Sequence, residues 1–331
     1  MLQGRPVALA ALGTWVPPRV VGNKDLPAQL ETSDEWISQR TGIRSRRIAE
    51  TGTPASVLGI EAAREALTAS GTDPRDIDLV ICASVSPDQL MPATAARIAA
   101  AVGAVNAGAY DVLAGCTGFI YALGAAASSV AAALAERVLV VGAEVISSIL
   151  DWEDRSTCVL FGDGAGAAIV APAQGRGRLI GFDLGNDGSG ADLLEVPAGG
   201  SRLPASAQTV QQRLHFLRMN GREVYRFATR VVPESAQRIL AEAGRSIDEV
   251  DLFVPHQANQ RIIDVAAEKL GIPEDRVLSS LAEYGNTSCA SIPISLARAL
   301  EQDRLHDGDL VLLTGFGAGL SWGSCLLEWG A

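Results

Sequence analysis

The chain of 331 residues predicts an α/β fold built from two similar halves. Three observations carry this expectation. The text EAAREALTASGTDPRDIDLVICA, from Glu61, recurs in divergent form and without gaps as ESAQRILAEAGRSIDEVDLFVPH, from Glu234, an offset of 234 − 61 = 173. Each copy reads as an amphipathic helix, a glycine stop at Gly71 or Gly244, a turn and an apolar strand, the alternation that builds helices onto sheets. Hydrophobic residues make up 48% of the chain but aromatic ones only 5%, so small aliphatic side chains must fill closely packed layers. A repeat of about 170 residues is too long for a solenoid and implies two units. The boundary is expected near residues 172–177, in APAQGRG, giving halves 1–172 and 173–331.

Taken in order, MLQGRPVALAALGTWVPP reads as a first strand and a turn. Its single early arginine and the paired Pro17 and Pro18 do not suit a signal peptide. Thr32, Ser33 or Asp34 is placed to cap a short helix carrying Trp36. Trp36, Arg40 and Arg44 recur every four residues, so a helix would align them on one face. That face is either a solvated amphipathic surface or a stacking and phosphate-pairing surface for a nucleotide.

AYDVLAG reads as a buried strand and ends at Cys116. Residues 118–135 carry no charge and predict a helix buried on all sides. A thiol at that strand-to-helix turn faces the helix N-terminus, which favours an anion. Cys116 is thus a candidate nucleophile, against the alternative of one more buried small hydrophobe. GDGAGAA, at 162–168, lacks the spacing and the Lys-Ser/Thr of a phosphate loop and precedes a strand, so a tight turn is expected there. Further on, Arg218, Arg222, Arg226 and Arg230 recur at intervals of four and would form a basic stripe if helical, either a solvated face or a patch for an acidic partner or a phosphate.

A formal net charge of −11 argues against a nucleic-acid protein. The five cysteines, Cys82, Cys116, Cys158, Cys289 and Cys325, form no CxxC pair, which disfavours a zinc finger or a redox dithiol and suits a reducing cytoplasm. The uncharged run 118–135 is weakly hydrophobic and lacks a basic flank, so no membrane span is expected.

Three histidines leave a short search for a partner to Cys116. His306 lies between charges in DRLHDGD, and His215 beside the basic stripe. His256 follows the strand that begins at Asp251, at the position matching Ala83 in the first half. It therefore emerges at the end of a core strand, where α/β folds place chemistry. Asn286, in EYGNTSCAS, falls in the second half's version of the Cys116 turn. Each is explicable as structural; together, Cys116, His256 and Asn286 form a constellation for thiol acyl chemistry.

GCTGF around Cys116, PHQAN around His256 and GNTS around Asn286 resemble the active-site motifs of the β-ketoacyl-acyl-carrier-protein synthase III family, condensing enzymes that start fatty acid synthesis. TSDEWI and RTGIR near the N-terminus, FGDGAGAA in the middle and GFGAGLSWG at the end fit the same pattern, so the resemblance spans the chain. It implies the thiolase fold, two duplicated α/β halves in an α-β-α-β-α arrangement, and a homodimer. It implies decarboxylative condensation of an acyl-coenzyme A primer with malonyl-acyl carrier protein, both substrates, with no cofactor or metal and with no nucleic acid or membrane as partner. Cys116 would carry the acyl group, and His256 and Asn286 would hold the enolate oxygen. The amides of Cys116 and Ala318 would hold the oxyanion, and Asn259 would support the site. Trp36, Arg40 and Arg155 would meet coenzyme A. Arg226 and Arg261 would dock the carrier protein, and Met91 would close the acyl pocket. The chain departs from the family in placing Asp264 and Glu268 on the helix after HQAN, and in carrying Met91 where an aromatic is frequent.

A relative of secondary metabolism with another starter shares these motifs, and a non-catalytic partner of a condensing enzyme is the alternative from another class. An intact Cys-His-Asn set argues against that partner. A plant-type polyketide synthase lacks this combination of motifs. A thiolase needs a second catalytic cysteine, and Cys325 lies outside a matching motif. A papain-like protease needs a CGSCW context.

Overall fold

The computed structural model describes residues 1–175 and 177–330. Its apolar segments pair into two main sheets. The first runs Val7–Trp15, Gly164–Pro172, Val138–Glu144, Leu79–Ala83 and Gly108–Val112. The second runs Arg178–Asn186, Ser321–Glu328, Leu310–Gly317 and Leu252–Pro255. Strand directions repeat: Leu79–Ala83 lies parallel to Val138–Glu144 as Leu252–Pro255 lies parallel to Leu310–Gly317, and the remaining counterparts pair antiparallel in both. Gly108–Val112 is an additional edge strand of the first sheet. The expected boundary at 172–177 includes Arg176, which lies outside the described residues.

Helices cover the sheets in five layers. Ala55–Ser70 and Thr94–Val102 pack on the outer face of the first sheet, and Gly221–Ala243 and Gln260–Leu270 on the outer face of the second. Gly118–Ala131 and Ser291–Glu301 are sandwiched between the sheets, and their starts are related by the same offset, 291 − 118 = 173. The buried side chains divide accordingly into a central cluster and two outer ones. This is the α-β-α-β-α order expected. No helix among the described residues is long and apolar enough to cross a membrane.

Two expectations are corrected. The helix predicted over 118–135 stops at Ala131, and 132–134 turn outward with Ala133 left-handed at φ 58°. AYDVLAG is not a buried strand: its first residues belong to the edge strand Gly108–Val112, and Leu113, just after that strand, is 77% exposed. The helices Thr94–Val102 and Gly118–Ala131 pack against the strand's two faces, but among the described residues no strand pairs with its outer backbone edge. The 162–168 segment is a turn entering Gly164–Pro172. There the buried Asp163 carboxylate accepts the Ala49 and Ser147 N–H groups and the Ser147 hydroxyl, so an acceptor already fills the place a phosphate would need.

Candidate active site

Cys116 lies between the strand Gly108–Val112 and the helix Gly118–Ala131, as the sequence indicated. The turn is closed by a second backbone. Gly115 is left-handed at φ 59°, and a Cβ there would sit 2.6 Å from the Ala318 nitrogen. A Cβ on Gly317 would overlap the Cys116 nitrogen. Only glycine allows this approach, and it brings the GFGAG turn, with the Ala318 amide, onto the Cys116 turn.

A cavity of about 230 Å³ is lined by Cys116, His256 and Asn286 together with Trp36, Arg40 and Arg155. His256 follows the strand Leu252–Pro255 and is buried, its ring edge-on to Phe316 at 5.5 Å between centroids. Its Nδ1 lies 2.6 Å from the Ser291 hydroxyl, which also accepts the Gln257 N–H at 3.4 Å. Nδ1 is the one acceptor for the hydroxyl proton among the described residues, so the network is satisfied with the hydroxyl donating to Nδ1 and the ring proton on Nε2. Burial depresses the imidazole to about 3, so the ring is neutral at physiological pH. Asn286 Oδ1 accepts the Ser288 N–H at 2.8 Å, which leaves the amide NH₂ as a donor.

The thiol departs from expectation. The helix N-terminus was expected to favour a thiolate, but burial pushes Cys116 up to about 12. A helix terminus is worth at most about 2 kcal/mol, roughly thirtyfold in an ionisation constant. It cannot outweigh the loss of hydration with no cation beside the sulfur among the described residues. Cys116 rests as a thiol.

At the cavity mouth, Ser33 caps the helix Asp34–Thr41 by accepting the Trp36 N–H. The Arg40 and Arg155 guanidiniums lie 4.4 and 5.4 Å from the Trp36 ring centroid. Arg44 does not join them, because Gly42, left-handed at φ 82°, ends the helix first. Asn259 caps Gln260–Leu270 by accepting the Arg261 N–H, and donates to the Arg40 carbonyl at 3.2 Å, tying the mouth to the His256 loop. Arg261 is exposed and donates to the Gln39 carbonyl at 3.0 Å. Arg222, Arg226 and Arg230 are exposed on Gly221–Ala243, with Arg226 paired to Glu223, whereas Arg218 precedes the helix and leaves the stripe. His215 meets Thr209, His306 lies between Asp303 and Asp309, and Cys325 is sealed in its strand. Met91 does not line the cavity; it is 81% exposed.

Ser288 and Ser291 were not singled out from sequence. The signal was present in the offset, which maps Ser288 onto Gly115 and Ser291 onto Gly118.

Residues 110–188 match the family described as 3-oxoacyl-[acyl-carrier-protein] synthase III, and residues 240–329 match its C-terminal part. The chain is 51% identical to the beta-ketoacyl-[acyl-carrier-protein] synthase III of Symbiobacterium thermophilum over 98% of its own length and 99% of that protein's. The solved structure of the Thermus thermophilus synthase III is similar at a TM-score of 0.91 and 47% identity, covering 98% of this chain and 99% of that one. The priming β-ketosynthase of the R1128 polyketide pathway is similar at a TM-score of 0.91 and 39% identity, covering 99% and 98%. With its Cys-His-Asn cavity set between two duplicated halves, the chain belongs to the 3-oxoacyl-[acyl-carrier-protein] synthase III family.

Proposed function

We infer that the protein transfers an acyl group from acyl-coenzyme A to Cys116 and condenses it, with loss of CO₂, with malonyl-acyl carrier protein, giving a 3-oxoacyl-acyl carrier protein at the start of fatty acid synthesis. The observation that carries this is the single cavity with Cys116, His256 and Asn286 inside and the Trp36-Arg40-Arg155 cluster among its lining residues. Sγ forms a bond to the acyl carbon, coenzyme A leaves as its thiol with the Cys116 proton, and the Cys116 and Ala318 amides hold the transient oxyanion. When the malonyl C–CO₂ bond breaks, its electron pair becomes an enolate. The Nε2–H of the neutral His256 and the Asn286 amide donate to the enolate oxygen. The enolate carbon then attacks the acyl carbonyl and the Cys116 thiolate leaves. The chemistry requires no cofactor beyond these substrates. Intact-mass measurement after incubation with a panel of acyl-coenzyme A thioesters tests the reading: one acyl mass is expected on Cys116, and a scaffold protein would gain none.

The likeness to the R1128 priming ketosynthase favours a second reading, the same chemistry with another starter. The primer that acylates fastest, and the carrier protein that then accepts it, separate the two. Trp36, stacked with Arg40 and Arg155, suits the nucleotide of coenzyme A, and Arg226 and Arg261 suit an acidic carrier protein. The exposed edge Gly108–Val112, with Leu113, Leu90 and Met91 beside it, suits pairing of two copies through that edge, so that Met91 reaches the partner's acyl pocket. Light scattering should give a dimer, and Leu113→Lys should weaken it. A primer preference unchanged in Met91→Phe would remove Met91 from the pocket. Free, widely spaced cysteines suit a reducing cytoplasm.

A further inference from the structure

Ser288 holds a backbone conformation that its side chain does not favour. Its φ is +51°, the left-handed region where glycine is the default and other residues are uncommon. The duplication supplies the comparison. The equivalent position in the first half, 288 − 173 = 115, is Gly115 at φ 59°. Thus the same backbone turn occurs twice, once with the expected residue and once with serine. Asn286 Oδ1 pins the strained turn by accepting the Ser288 N–H at 2.8 Å. Unusual backbone beside the cavity-lining Cys116 and Asn286 asks what the side chain does.

The Ser288 hydroxyl lies 3.5 Å from Cys116 Sγ, with the hydroxyl as donor, and both residues are buried. The buried Glu144 carboxylate also lies within reach of the Ser288 hydroxyl, but it already receives donors from Ser84, Val85, Ser86 and Cys289, and the hydroxyl's well-formed hydrogen bond is the one to Sγ. We propose that Ser288 is a further catalytic residue: its O–H is the fixed hydrogen bond that stabilises the Cys116 thiolate when the thiol gives up its proton. Among the described residues no cation stands beside the sulfur, so a neutral donor in contact with it is the stabilisation the Ser288 turn supplies. A hydrogen bond to a charged group is among the stronger ones, and removing it should lower the ionisation constant about 10- to 100-fold. The proposal rests on Cys116 being the nucleophile inferred above, but its test needs no acyl substrate.

The test is alkylation of Cys116 by iodoacetamide, in which Sγ forms a bond to carbon and iodide leaves, followed by peptide mass as a function of pH in wild type, Ser288→Gly and Ser288→Ala. Glycine fits the left-handed φ better than serine, so Ser288→Gly should melt no lower than wild type. It also removes buried atoms beside Sγ and adds none, so it does not narrow the approach to the sulfur. A slower reaction therefore reports ionisation. Alkylation should rise with pH in all three proteins and be slower in both variants by about 10- to 100-fold at each pH below the thiol's own range. Equal or faster alkylation in Ser288→Gly would overturn the proposal; were that variant to melt early, the same result in Ser288→Ala would do so. Acylation by acyl-coenzyme A, run in parallel on wild type, separates this outcome from a failure of the proposed reaction. A protein that alkylates as expected but never acylates keeps the role of Ser288 and loses the substrate.

Discussion

Cys116 and Cys289 occupy the same place in the two halves, since 289 − 116 = 173. Both lie in the turn that precedes a central helix, Gly118–Ala131 or Ser291–Glu301. Their surroundings differ. Cys116 is 8% exposed and lines the cavity, with the Ser288 hydroxyl on its sulfur. Cys289 is sealed, donating to the Ala83 carbonyl and to Glu144 at 3.0 Å each, and burial and the Glu144 charge push its thiol well above the ordinary range. A shared residue, turn and helix terminus therefore do not make a nucleophile. What distinguishes the two is an opening to substrate and a donor in place of an acceptor at the sulfur.

The sharpest break of this comparison is at the cysteines themselves. Cys116→Ala should lose acylation altogether, while Cys289→Ala should acylate at the wild-type level; intact mass and peptide mapping check both. An acyl group on Cys289 in the first variant would show that the sealed turn opens. Next in size is the division of labour inside the cavity. His256→Ala should acylate normally but decarboxylate malonyl thioester about 10²- to 10³-fold more slowly, the usual loss of one oxyanion donor. Decarboxylation at the wild-type rate would remove His256 from that role.

The pH dependence sharpens the same point. His256 is held neutral down to about 3, well below its unfolded value of 6.5. Between those values the unfolded chain binds the extra proton, so the stabilising contribution of the neutral ring is complete above about 6.5 and is lost as pH falls towards 3. The slope from this one group is at most about 1.4 kcal/mol per pH unit. Denaturant titrations at successive pH values should show it in wild type, and it should be reduced in His256→Gln. Decarboxylation by the folded enzyme should show no inflection near 6.5.

The smallest effect is expected outside the cavity. Arg226→Glu/Arg261→Glu should raise the KM for malonyl-acyl carrier protein a few-fold and leave acyl transfer from acyl-coenzyme A nearly unchanged, because exposed charge contacts contribute only about 0.2–1 kcal/mol each. The difference should shrink at high salt. Equal loss in both half-reactions would place these arginines at a coenzyme A phosphate or in the fold.

The places where sequence reading went astray share a cause. Trp36 and Arg40 were correctly put on one face, but a four-residue spacing does not report where a helix stops, and Gly42 stops it before Arg44. Arg218 fell out of the basic stripe for the same reason at the other end, since the helix begins at Gly221. AYDVLAG has the composition of a buried strand, yet composition cannot tell a central strand from an edge strand. Ser288 and Ser291 look like ordinary turn residues until the turn is folded against Cys116 and His256.

The sequence by itself determined the duplicated α/β plan, because periodicity, glycine stops and a constant offset are local signals that survive in one dimension. It determined Cys116, His256 and Asn286 as a set, because the offset superposes the two halves and brings their strand ends together. Only the tertiary structure decided that the Cys116 thiol rests protonated, that His256 carries its proton on Nε2, and that Ser288 spends an unfavourable φ to reach the sulfur. Those are matters of hydration lost and donors placed within 3.5 Å, and they depend on neighbours 35 and 172 residues away along the chain.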